Sequence, residues 1–94
     1  MKEIIYSSHL EFRIKMRDIP YSLPEEIYQT AREKYFDFAT KKKVAVKRVL
    51  YKGRNRDMMV AYEESFSEVK LITIHPLKLL QKYNRIKTKR WRRL

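Results

Sequence analysis

The sequence predicts an α+β domain: two N-terminal helices packed on an antiparallel sheet of three to four strands, with a short C-terminal helix or tail. Three observations lead there. Two helix-start signatures, Ser8-His9-Leu10-Glu11 and Ser22-Leu23-Pro24-Glu25, fall early in the chain. Three β-rich runs follow between Val44 and His75, joined by segments short enough to favour hairpins over crossovers. The single Gly argues against a many-turned all-β fold, and 44% hydrophobic and 13% aromatic residues exceed what a disordered basic tail carries. The 94 residues, free of repeats and linkers, fit one domain with a modest core.

Lys2 to Tyr6 is a short apolar run expected to form an edge strand. Ser8 and Glu11 have capping-box spacing and open a helix to about Asp18, stopped by Pro20. His9, Phe12, Arg13 and Met16 share a face of it, so Phe12, Met16 and Ile19 are assigned to the core, with His9, Arg13 and Arg17 along its border. The second helix is expected to run from Ser22 to about Tyr35 or Phe36, with Ile27, Ala31 and Tyr35 on one ridge. Val44–Tyr51, Asp57–Glu63 and Val69–His75 are the expected strands, separated by loops Lys52–Arg56 and Glu64–Glu68. In the last strand Val69, Leu71, Thr73 and His75 fall on one face, with Lys70, Ile72 and Ile74 on the other. Both faces are largely apolar, which marks a central strand. Pro76 ends it, Leu77 to Arg85 can make one or two helical turns, and about 82–94 reads as a basic tail.

Charge points to the partner. The net charge is +12, yet the last acid is Glu68, and residues 69–94 hold nine bases and no acid. A compact fold gains nothing from like charges crowded so densely, whereas a polyanion gains from each one through counterion release. Nucleic acid is therefore the expected partner. The chain lacks Cys, which excludes disulfides and thiolate metal sites and fits a cytoplasmic protein. It has no signal-like h-region and no apolar run near the ~18 residues of a membrane span. One Gly leaves no room for a phosphate-cradling or dinucleotide-binding Gly motif, and no carboxylate cluster suits Mg²⁺. Neither metal nor cofactor is expected.

Any phosphodiester chemistry must then be metal-independent, which RNA permits because its 2′-OH is the nucleophile. The protein need supply only a base, an acid and cations for the phosphorane. His9, flanked by Arg13, and His75, at a strand end beside Pro76, are the candidate base and acid. Arg13 and Arg54 are the candidate cations, and Tyr62 orients or stacks. Lys52, Arg54 and Arg56 between Tyr51 and Tyr62 suit phosphate contact with stacking. Arg17 extends the helix border, and Arg85, Lys87, Lys89, Arg90, Trp91, Arg92 and Arg93 interleave bases with an aromatic, as backbone-binding segments do. Each has a bland alternative: histidines that pack or cap, a solvated hairpin, a solvated charge run.

The order β-α-α-β-β-β resembles the RelE/ParE-type toxin superfamily of small basic proteins, above all members of unassigned function with a Ser-x-His N-terminal helix. The residues that carry this are Ser7-Ser8-His9 with Arg13 and Arg17, Tyr51-Lys52-Gly53-Arg54, Tyr62-Glu63, Ile72-Thr73-Ile74-His75-Pro76 and the ending Asn84 to Trp91. The resemblance implies a cytoplasmic protein that cleaves mRNA, commonly on the ribosome, or poisons gyrase without cutting, and that is neutralised by an acidic antitoxin. RelE-type sites use scattered Arg, Lys and Tyr, which by analogy are Lys52, Arg54, Arg56, Tyr62 and Arg85 here; a histidine pair departs from that pattern. The function expected is a small basic RNA-binding protein, an mRNA-interferase-like endoribonuclease or a non-catalytic nucleic-acid- or ribosome-binding module.

Overall fold

In a computed structural model that describes residues 2–94, the chain forms β1 (Glu3–Tyr6), α1 (Ser8–Arg17), α2 (Leu23–Thr30), β2 (Glu33–Asp37), β3 (Lys42–Tyr51), β4 (Arg54–Glu64), β5 (Glu68–Pro76), α3 (Gln81–Lys87) and β6 (Trp91–Arg93). The first helix starts one residue earlier than the capping-box spacing implies. Ser7, in extended conformation, is the N-cap: its Oγ accepts from the Leu10 N–H at 3.0 Å and donates to the Ile72 carbonyl at 2.8 Å. One side chain thus satisfies an orphan helix donor and ties α1 to the β5 edge just where β1 ends. Asp18, left-handed at φ 53°, closes the helix by donating to Ile14 and Lys15 carbonyls.

That helix buries the ridge Leu10–Ile14, with Ile19 beyond it. Phe12 and Met16, expected in the core, are instead 62% and 69% exposed. The second helix also departs from expectation, because it ends at Thr30 where Ala31 turns extended at ψ 133°. Residues 33–37 pair with β3 from Glu33↔Val46 to Asp37↔Lys42. A helix continued to Phe36 would leave the β3 edge with unpaired N–H and C=O groups, so pairing overrides the helical spacing.

All six strands form one sheet in the order β1-β5-β4-β3-β2-β6. Among the described residues only β1 and β5 pair in parallel; every other neighbour is antiparallel. The sheet is therefore mixed and has six strands, against the three or four antiparallel strands expected. Lys2–Tyr6 does supply an edge strand. The β3–β4 turn is only Lys52-Gly53, both with positive φ (49° and 82°), the twist-matched geometry that Gly admits without strain. Arg54, Asn55 and Arg56 consequently belong to β4, not to a five-residue loop.

A β-bulge sets the faces of β5. Tyr62 pairs with Leu71 but Ala61 pairs with Thr73, leaving Ile72 as the extra residue. Val69 and Leu71 therefore share the helix-covered core with Ile74, Met58, Val60 and Tyr62. His75 pairs with Met59, which belongs to the cluster on the other face with Tyr35, Val44, Val46, Ala61, Leu77 and Trp91. The single face expected for Val69, Leu71, Thr73 and His75 is split by the bulge. The strand is internal, between β1 and β4, although β4 and β3 lie nearer the centre.

The C-terminal segment is not a free tail. Trp91, 1% exposed, stacks on Tyr35 at 5.3 Å while β6 pairs with β2. Among the described residues no helix is long and apolar enough to cross a membrane.

Candidate nucleic-acid interface

The bulge presents His75 on the sheet face opposite α1 and α2. Its Nδ1 lies 3.2 Å from the Pro76 carbonyl oxygen. A carbonyl can only accept, so Nδ1 carries the proton and Nε2 holds the lone pair. Burial pushes the His75 pKa below the ordinary imidazole range. The Pro76 carbonyl pulls the other way, and the guanidiniums of Arg13, Arg85 and Arg17 push it further down. At neutral pH the ring is thus an uncharged base within the field of three cations.

Those three arrive from different elements. Arg13 and Arg17 are one turn apart on α1, and Arg85 comes from α3, where it lies 5.2 Å over the Trp91 ring. Among the described residues, no carboxylate forms an ion pair with any of them. The Arg13 Nε is buried and has no hydrogen-bond partner. Asp37, the acid that acts on Arg85, is already gripped by Arg90 through two bonds at 3.0 and 3.1 Å. Arg13 and Arg85 are half-buried and form no ion pair, which is costly unless an anion joins them.

A second basic feature adjoins the first. A cleft of about 530 Å³ opens between the β3–β4 hairpin and the segment from Leu77 to Tyr83. Arg48, Arg54, Arg56, Lys78 and Lys82 line it, and Asp57 is the one acid there. Asp57 lies 3.7 Å from Arg48 and 3.8 Å from Lys82, and Arg56 donates to the Leu77 carbonyl at 3.4 Å. Tyr83, 63% exposed, sits on the rim.

The sequence-based candidates therefore separate. The charges of Arg13, Arg17 and Arg85 act on His75, whereas Arg54 and Arg56 line a separate cleft. His9 is exposed on α1 beside Arg13 and Arg17. Tyr62 is a correction: it is 1% exposed beneath the helices, edge-on to Tyr28 at 4.9 Å, and burial raises its hydroxyl pKa. It can neither stack on a base nor orient one. Trp91 is a second correction, since its ring is committed to Tyr35. Arg90 is a third, because its fork holds Asp37, and Lys82 likewise bonds both Glu33 oxygens at 3.1 and 3.2 Å. Two of the seven bases in 82–93 thus have countercharges. Lys52, Lys87, Lys89, Arg92 and Arg93 remain exposed at the periphery, with Lys52 5.6 Å over the Tyr51 ring.

Family models, curated proteins and solved structures contain no match to this chain. The site must be read from its own chemistry. Among the described residues, no three His, Cys, Asp or Glu side chains come together as metal ligands. Arg48 and Lys78 were not candidates in the sequence, and Lys82 and Tyr83 counted only as part of the basic tail. Arg48 looks like an ordinary strand residue there, and Lys78 and Lys82 gain meaning only when the chain folds back on the hairpin.

Proposed function

We propose that this protein binds RNA through the His75 cluster and the adjoining Arg54 cleft, in the manner of a RelE-type protein. The charges of Arg13, Arg17 and Arg85, none of them in an ion pair, act together on His75, and that carries this reading. A backbone phosphate supplies the missing negative charge. RNA is favoured over duplex DNA because the cations line concave clefts rather than one helix projecting into a major groove. The succession β1-α1-α2 followed by antiparallel strands supports the RelE-type resemblance, with two strands more than that order requires. Under the same reading, a small acidic antitoxin would cover this face.

The site also suits metal-independent cleavage. His75 Nε2 takes the proton of a 2′-OH, the 2′ oxygen bonds to the adjacent phosphorus, and the guanidiniums hold the phosphorane charge. The 5′ oxygen then leaves with the proton that His75 returns, producing a 2′,3′-cyclic phosphate and a free 5′-OH. Binding without cleavage is the second reading. The separation of Arg54 and the burial of Tyr62 favour it, since His75 then acts without two of its expected helpers.

Incubation with single-stranded RNA and with ribosome-bound mRNA in EDTA separates the two. Cyclic-phosphate ends that disappear in His75→Ala, with RNA affinity reduced no more than a few-fold, support cleavage. Intact but tightly bound RNA leaves the binding reading alone. Absence of binding even at low salt would sink both.

A further inference from the structure

Beside the arginines assigned to phosphate, α1 carries an apolar ridge that phosphate binding does not use. His9, Arg13 and Arg17 form one ridge at i, i+4 and i+8, and Phe12 and Met16 form a neighbouring apolar ridge. Between them lies a small cleft of about 160 Å³. Phe12 and Met16 are largely exposed, so water faces an aromatic ring and a thioether without any covering element. Single exposed apolar residues are ordinary, but a pair flanked by two unpaired guanidiniums and an imidazole is chemically specific. Arg13 and Arg17 are also two of the three cations whose charge acts on His75.

We infer that the α1 cleft is a subsite for one unpaired nucleobase, adjoining the phosphate position at His75, so that the RNA taken is single-stranded. The inference rests on the RNA-binding reading. The apolar floor fits a flat ring with a π-face, while the rim fits the negative charge covalently next to it. Arg13 and Arg17, which line the cleft, offer cations to the phosphate joined to that base. A duplex hides its base faces inside the stack and cannot fill the cleft. A docked peptide helix needs a longer groove than the ~2 turns of α1 that line this one.

The test uses the full chain with labelled 2′-O-methyl oligonucleotides, which cannot supply the nucleophile, as a single strand and as a duplex of equal length. Phe12→Ala should weaken single-strand binding about tenfold, the loss of one stacked base. The dependence on salt should stay the same, because no phosphate contact is removed. Duplex affinity should not change, and Phe12→Trp should retain single-strand binding. Equal single-strand affinity for wild type and Phe12→Ala overturns the subsite and leaves the patch to a protein partner, with RNA binding intact. Equal weakening of both oligonucleotides overturns it as well. If the wild type binds neither oligonucleotide at low salt, the RNA-binding reading falls and takes the subsite with it.

Discussion

Ile72 decides more about the site than any charged residue. As the extra residue of the β5 bulge it keeps Val69, Leu71 and Ile74 in one core, and it turns His75 toward the opposite face. Period-2 alternation cannot foresee a bulge, so the two ends of β5 were read as one face. Titrating residues leave a second signature. Burial works to raise the Glu64 pKa, but hydrogen bonds from Lys43 (3.0 Å) and Tyr28 (3.0 Å) outweigh it and hold the carboxyl at about 2. A carboxyl depressed on folding stabilises above its unfolded pKa, and that stability drains as pH falls toward the folded value. The urea midpoint should therefore drop between about pH 5 and pH 2, and Glu64→Gln should flatten that acid limb. The same pair works at the alkaline end. Burial and Glu64 push the Tyr28 hydroxyl up to about 12, so the wild type should also lose stability above its unfolded pKa near ~10.

At the scale of elements, α1, β1 and the β3–β4–β5 hairpins were legible because their signals are local: a hydroxyl cap, Pro stops, β-branched runs and short polar connections. Strands β2 and β6 were not. Ala31 and Tyr35 fall at helical spacing from Ile27, and only the open β3 edge pulls that segment into the sheet. Trp91 sits in a run of bases and reads as a stacking residue, yet it fills the second core against Tyr35, Val44 and Leu77. Removing that ring should cost about 3–5 kcal/mol, as truncation of a buried aromatic does. Trp91→Ala should lower the urea midpoint accordingly, and hydrogen exchange should quicken first at the β2–β6 amides. Wild-type midpoint and exchange in this variant would return Trp91 to the surface.

Over the whole molecule, the charge count alone does not define the binding surface. Of the acid-free stretch, Lys82 and Arg90 are spent on Glu33, Asp57 and Asp37, which lie far earlier in the chain. Unpaired cations come instead from α1, β4 and α3 together. Arg54→Ala should therefore reduce the slope of log affinity for single-stranded RNA against log salt by about 0.7, the share of one phosphate contact. Arg90→Ala should leave that slope unchanged while lowering stability, because Asp37 is left buried without its partner. Equal slope changes in both variants would mean that the pairing of Arg90 does not persist in solution. By itself the sequence determined the class of the fold, its edge strand and its charge imbalance, for these rest on composition and on spacing between near neighbours. Which cations stay free, and which of them meet His75, depends on residues up to about seventy positions apart. Only the bulge, the added outer strands and the return of α3 onto the sheet decided that, because contacts at such separation are made by packing and not by local sequence.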